Sequence, residues 1–366
     1  MKKVFYIALA ALAFAACAKT EANYTATQEI AFMPVSKVNT KVAVTGAVYS
    51  EDYPFYVYAN AKNNGADAFI TKYFEKVFFV PDGTDKTTGG LQVYKGSPAQ
   101  YWPNVNPLVF AGFTQTGNVA SITPVANQEL TSLKLSEFTQ PKPTVGGAND
   151  LMYFFADNDG NGYDKNTTFV DPTMKHACSW ITINIKADQK LLADRDDNTD
   201  GIQPYWPNLK VKNVKFYNLH ETGDLTITKA GGASWDFTNQ TATEAVNVRI
   251  SDKDITTAFQ EFAEIEANTI VLPQPLADNT SAKNATVKLS VTYSYTTPAG
   301  TADFTEEKVL DLFYDGDAKS AWQPGMHYTY NLTLTAKEIK IAPSSTDWDS
   351  DLNNNSTADD NINKPF

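Results

Sequence analysis

The chain is poor in the residues that usually carry chemistry or covalent stabilisation. Its 366 residues include two cysteines, Cys17 and Cys178, three histidines, His176, His220 and His327, and two arginines, Arg195 and Arg249. Two cysteines cannot build a disulfide framework, so stability must come from apolar cores. The histidines are far apart and form neither an HExxH nor an HxH pattern, which points away from a metal centre. No GxSxG elbow is present, no GxxxxGK[ST] loop and no GxGxxG following a strand. Carboxylates are too numerous for one acid–base pair of a glycosidase to stand out. The formal net charge of −12 argues against a basic nucleic-acid groove. After the first residues no apolar run is long enough to span a bilayer.

What is present begins at the N-terminus. Lys2 and Lys3 precede the uncharged run VFYIALAALAFAA, residues 4–16. That run has the length of a signal-peptide core and is too short for a membrane helix. It ends at Phe14-Ala15-Ala16-Cys17, which resembles a bacterial lipobox. There the cysteine thiol takes a diacylglyceryl group and becomes the new N-terminus. The plainer alternative is an ordinary secretory cut beside an incidental cysteine. With Cys17 acylated, residues 1–16 are the signal and Cys178 stands alone. The precursor is then anchored to the outer membrane by lipid.

Period-two alternation recurs along the rest of the chain. It is clear in Leu289-Ser290-Val291-Thr292-Tyr293-Ser294-Tyr295 and in Tyr328-Thr329-Tyr330-Asn331-Leu332-Thr333-Leu334-Thr335. It also runs through residues 181–186, 245–250 and 55–59. Such strands predict an all-β protein of antiparallel sheets, with sandwiches as the architecture. One short helix is expected, with Ile255, Phe259 and Phe262 on one face behind Ser251 and Asp252. The polar stretch DNDGNGYDKNTT, residues 157–168, is the best domain break. It divides an N-terminal sandwich, 42–167, from a C-terminal one, 168–343. Residues 344–366 form a polar tail, extended or disordered.

Candidate chemistry is thin. Asp157-x-Asp159-x-Asn161-Gly162 and Asp196-x-Asn198-x-Asp200-Gly201 match the first half of a calcium loop. Both fail at position twelve, where Thr168 and Pro207 replace the bidentate Glu. Solvated turns explain them as well. Cys178 reads as a small buried hydrophobe without an activating base. Tyr101-Trp102-Pro103-Asn104 and Tyr205-Trp206-Pro207-Asn208 echo each other, either as packing at a sandwich rim or as sugar-stacking aromatics. No catalytic residue, metal or cofactor is expected.

Several segments, in order, resemble the fimbrillin (type V pilin) family of lipoprotein-derived fimbrial subunits. They are Glu29-Ile30-Ala31-Phe32, Asn39-Thr40-Lys41-Val42-Ala43, Tyr53-Pro54-Phe55-Tyr56-Val57-Tyr58-Ala59, Tyr101-Trp102-Pro103 and Asn149-Asp150-Leu151-Met152. Residues 176–185 follow, then Trp322-Gln323-Pro324-Gly325-Met326-His327, Glu338-Ile339-Lys340-Ile341-Ala342-Pro343 and Thr346-Asp347-Trp348. The resemblance implies two transthyretin-like sandwiches in tandem behind a leader, residues 17–41. It implies a removable leader strand, about residues 28–35, with Ile30 and Phe32 facing the core, and a cut between Lys41 and Val42, or after Lys37. It also implies a donor strand, about residues 337–348, with Ile339, Ile341 and Trp348 as knobs. The plainer reading makes residues 338–341 the last strand of their own domain. The family usually carries arginine at the cut, and both arginines here lie far downstream. Either a lysine-tolerant protease acts, or the leader stays and the chain ends a filament as an anchor.

The implied partners are other copies of the chain, related fimbrial subunits and host glycans or proteins, at the cell surface. The rival readings are a surface lipoprotein that binds glycans for an uptake system and a secreted hydrolase.

Overall fold

The computed structural model describes residues 28–36, 54–63, 69–86, 92–114, 125–140, 150–192, 206–249, 251–262, 270–276, 287–296, 303–312 and 321–347. The first half runs through β1 (Ala31–Phe32), β2 (Val35–Ser36), β3 (Phe55–Lys62), β4 (Phe69–Lys86), β5 (Gln92–Ser97) and β6 (Leu108–Thr114). It continues with β7 (Val125–Ala126), β8 (Ser132–Thr139), β9 (Met152–Ala156) and β10 (Thr173–His176). Then come β11 (Ser179–Ala187), the short helix α1 (Gln189–Leu192), β12 (Lys210–Leu219), β13 (Thr222–Thr228) and β14 (Gly232–Asp236). The last strands are β15 (Thr243–Arg249), β16 (Lys253–Asp254), β17 (Gln260–Glu261), β18 (Ile270–Val271), β19 (Lys288–Thr296), β20 (Asp303–Asp311), β21 (Met326–Leu334) and β22 (Ile339–Asp347).

The protein is all-β, with mostly antiparallel pairing. One sheet has the order β1-β5-β4-β3-β6-β9-β10-β2. Its two outermost strands are consecutive pieces of a single segment, residues 28–36, so that segment closes the sheet on itself. Inside lies a core that includes Ile30, Phe32, Phe55, Phe79, Phe110 and Phe154. The outer face of the same sheet packs on a second sheet, β14-β13-β8-β7, through Tyr58, Phe113, Leu133, Leu135, Leu225 and Ile227. Because both faces are covered, all seven residues of β6 are buried. Such a strand reads as a continuous apolar run rather than an alternation.

The second sheet joins distant parts of the chain. Strands β7 and β8 precede residue 168, whereas the hairpin β13–β14 follows it. Strand β13 pairs antiparallel with β8 from Thr222↔Thr139 to Thr228↔Ser132. The hairpin therefore leaves the C-terminal half and completes the apolar layer over the N-terminal sheet.

The C-terminal half is built from two further sheets. One is β17-β11-β21-β22 with β18 also on β11, and the other is β15-β12-β19-β20 with β16 also on β12. They enclose Ile181, Ile183, Ile185, Val291, Tyr293, Tyr330 and Leu332. These are the apolar positions of the alternating stretches, as expected for strands with one covered face.

The helix expected around Ile255, Phe259 and Phe262 is absent. Residues 253–254 and 260–261 are short strands instead, pairing with β12 and β11. The Ile255 and Phe262 amides donate to the Leu209 and Ile183 carbonyls. Long-range pairing to the two facing sheets overrides the local helical spacing.

Glu307, on β20, accepts hydrogen bonds from Ser290 Oγ and Tyr217 (2.8 Å) and pairs with Lys215 at 3.0 Å. The Ser290 bond, then Lys215 and Tyr217, hold its carboxyl down to about 2. A depressed carboxyl contributes stability above its ordinary value of 4.5, and that contribution disappears as pH falls toward 2. Glu307→Gln should therefore flatten the fall in unfolding temperature between those two values. Scanning calorimetry across that window checks it, and an unchanged slope would remove Glu307 from the acid response.

Candidate functional site

The site is the seam filled by residues 28–36. On one side the segment runs antiparallel to β5, with Ala31 opposite Lys95 and Phe32 opposite Tyr94. On the other it runs parallel to β10, with Val35 opposite Thr173. Beside these ladders, four further backbone hydrogen bonds hold it. The Ile30 amide donates to the Gln100 carbonyl (2.7 Å), and Trp102 donates to Gln28 (3.1 Å). Met33 donates to Val170 (2.8 Å), and Val170 returns a bond to Ala31 (3.0 Å). Gln28 Nε2 also reaches the Thr167 carbonyl at 3.0 Å. Both neighbouring edges thus have their polar groups paired by this one segment.

Its side chains fill the closed sheet. Ile30 and Phe32 are wholly buried, and Ala31 and Pro34 are buried as well. The Phe32 ring meets Phe79 at 4.8 Å, Phe110 at 5.2 Å and Phe55 at 5.8 Å, all edge-on, and Phe154 at 5.8 Å. Gly112 leaves room for this cage, because a Cβ there would run into the Phe154 ring. Burying a phenylalanine contributes about 1.5–3 kcal/mol, and each edge-on ring pair adds about 0.5–1.5 kcal/mol.

The C-terminal candidates sit elsewhere. Ile339 and Ile341 belong to β22, which pairs with β21 along all nine of its residues, from Leu334↔Ile339 to Met326↔Asp347. In this structure β22 is the edge strand of its own sheet. Ile339 is in the C-terminal core, and Ile341 packs partly buried against it. Cys17, Lys41, Val42 and Trp348 lie outside the described residues.

An echo that the sequence reading missed links the two segments. Residues 30–34 read Ile-Ala-Phe-Met-Pro, and residues 339–343 read Ile-Lys-Ile-Ala-Pro. An apolar residue, an apolar residue and a proline recur at the same two-residue spacing. In the N-terminal copy these are Ile30, Phe32 and Pro34, all buried in the seam. Comparing the two ends directly would have found the signal. The receiving residues Val170, Met174 and Gln100 carry no local mark at all, since only pairing brings them to the seam.

The remaining candidates have structural roles. His176 Nδ1 lies 2.6 Å from Asp150 Oδ2 in the interior. His327 stacks on Trp180 at 3.7 Å. In the loop after β9, Lys229 pairs with Asp157, so a lysine ammonium occupies the carboxylate that would stand first in a calcium loop, and Lys62 donates to the Gly160 carbonyl. Among the described residues no three acidic, histidine or cysteine side chains converge on a metal position. The second acidic loop lies outside the described residues. Trp102 is buried and edge-on to Phe110, and Trp206 stacks on Tyr295 at 4.3 Å. Both tryptophans are packing residues.

This geometry defines a class: an all-β subunit whose N-terminal end is completed by a short strand laid between two sheet edges. Compared with known proteins, the chain matches a sequence profile of the fimbrillin-like family over residues 40–348, and it belongs to that family. It is a fimbrial subunit of the cell surface that assembles with other such subunits, and it is not an enzyme. Among solved structures it is similar to a fimbrial protein from Bacteroides vulgatus. That match has 12% identity and a TM-score of 0.57, over 87% of this chain and 99% of that one. It is also similar to the tip fimbrial protein Mfa3 from Porphyromonas gingivalis with a C-terminal truncation. Here identity is 11% and the TM-score 0.42, over 87% and 98% of the two chains. At such identities the first likeness is one of fold. No curated protein matches the chain.

Phe32→Ala should lower stability by about 3–5 kcal/mol in urea unfolding, the usual loss for a buried phenylalanine. A loss under about 1 kcal/mol would mean that Phe32 does not anchor the seam. Burial, and then the Asp150 carboxylate, push the Cys178 thiol well up. Its S–H donates to Gln140 Oε1 at 3.4 Å. In a chain carrying Cys17→Ser, a thiol reagent should leave Cys178 unmodified until denaturant is added. Rapid native labelling would show that the thiol is open to solvent.

Proposed function

We propose that this subunit is a polymerising stalk component that exchanges strands with its neighbours. It is exported as a precursor, acylated at Cys17 and held at the outer membrane. A protease then removes the leader, residues 17–41, by cutting between Lys41 and Val42. Because no arginine lies near that point, the enzyme must accept lysine. Two transthyretin-like sandwiches remain, dividing near residues 167 and 168 apart from β10 and the hairpin β13–β14, which both lie on the N-terminal side of the fold.

The observation that carries this reading is the two-sided pairing of residues 28–36. A core strand bonded to fixed neighbours on both edges leaves two raw edges and an empty apolar channel when it is withdrawn. Exposed edges of that kind recruit another strand. Backbone ladders then provide affinity, and alternate side chains entering pockets provide selection.

The donor is the C-terminal segment of a second copy. Among the described residues β22 pairs only with β21. In the seam it would pair with both β5 and β10. The Ile339, Ile341 and Pro343 spacing matches Ile30, Phe32 and Pro34, so the same polarity places Ile341 in the four-ring cage. Trp348 lies beyond this repeat and serves as a further knob. Exchange of this kind is head-to-tail and does not close, so it grows a filament. The filament presents the subunit for adhesion.

The test is the N-terminal sequence of surface-recovered protein, together with SDS gels run unheated and heated. A start at Val42 with a heat-labile ladder is the expected result. A start at Cys17 and a single band would make the chain an anchor or a monomeric lipoprotein. A chain lacking residues 337–366 should fold as a monomer and fail to extend filaments, and normal polymerisation of that truncation would rule out the donor assignment.

A further inference from the structure

A second concavity lies on the opposite side of β10 from the seam. Strands β9 and β10 are in register only at Lys175↔Tyr153 and His176↔Met152. Beyond that point the chain before β10 swings away from β9, and a cleft of about 410 Å³ opens between them. This is within the range of small-molecule sites, about 300–1,000 Å³. The tip of the hairpin β13–β14 contributes Lys229 to its wall.

The lining has two zones. Tyr153, Phe154 and Pro172 are buried at its base, and Phe155 and Tyr163 are half-buried beside them. Around the mouth stand Asp157, Asp159, Asp171, Lys175 and Lys229. Lys229 and Asp157 satisfy each other. Asp159, Asp171 and Lys175 form no ion pair with another described residue and are exposed. The mouth therefore offers acceptors and donors of opposite charge side by side. A phosphate or other anion would meet three carboxylates on a chain already at −12. An amine would meet two ammoniums. A ligand that donates and accepts through many uncharged hydroxyls conflicts with neither, and an apolar face on it suits the aromatic base.

We propose that this cleft binds a neutral carbohydrate. Hydroxyls donate to Asp171 and Asp159 and accept from Lys175, while a sugar ring lies against Phe155 and Tyr163. The cleft's base shares Phe154 with the ring cage around Phe32, but Asp159, Asp171 and Lys175 stand outside the seam, so these polar contacts are available in precursor and filament alike.

The test uses the full chain on an array of neutral and sialylated oligosaccharides, followed by saturation-transfer NMR with the neutral glycans that bind. Asp171→Asn and Lys175→Ala are both exposed positions, and unchanged unfolding temperatures confirm intact folding. Each should weaken binding about tenfold, the scale of a lost charge-assisted hydrogen bond. Binding of a neutral glycan that both variants weaken supports the site. No binding to any neutral glycan, binding that survives both variants, or preference for the sialylated glycans would overturn it.

Discussion

Everything at the N-terminal end depends on covering two sheet edges at once. The edges of β5 and β10 face each other across a gap one strand wide, and residues 28–36 fill it. Unpaired backbone groups in such a place are costly, because water cannot reach them once the channel is closed. The same few residues also supply Ile30 and Phe32 to the core. Edge pairing and core filling are therefore one interaction, and removing the segment loses both together. Under the proposed exchange, that coupling makes removal of the leader open edges and core together.

The rest of the architecture keeps the seam rigid. Phe32 touches rings from β3, β4, β6 and β9, so four strands are held in relation to it. Those strands are backed by the second sheet, half of which comes from the hairpin β13–β14. The Trp235 indole donates to the Ala177 carbonyl at 2.8 Å, tying that hairpin to the crossing between the two halves. The N-terminal layer is thus fastened to the C-terminal half by backbone pairing as well as by the peptide chain. In the proposed filament, where strand exchange links a subunit to its neighbours at both ends, such a continuous path carries load through the subunit.

Much of this was legible in the residues. Strands β11, β19 and β21 each bury one face, so their alternation of Ile, Val, Leu and Tyr with Thr, Ser and Asn is plain. Strand β6 buries both faces and shows only an apolar run. Residues 253–262 carry a helical spacing that loses to pairing with two facing sheets, and no local pattern announces that. The pairing of β13 with β8 is equally silent, since it joins residues more than eighty apart. Ile30 and Phe32 look like core residues in the sequence. That they lie between two edges follows only from Gln100 and Val170 arriving from distant loops.

The most direct measurement is amide hydrogen exchange at Trp102 and Val170 in a chain that begins at Val42. In the intact structure these amides donate to Gln28 and Ala31, both of which that chain lacks. Exchange should be fast without the leader and slow again when a peptide of residues 337–348 is added. Slow exchange in the shortened chain alone, or no slowing with the peptide, would contradict the assignment of this seam as the place where one subunit receives the strand of the next.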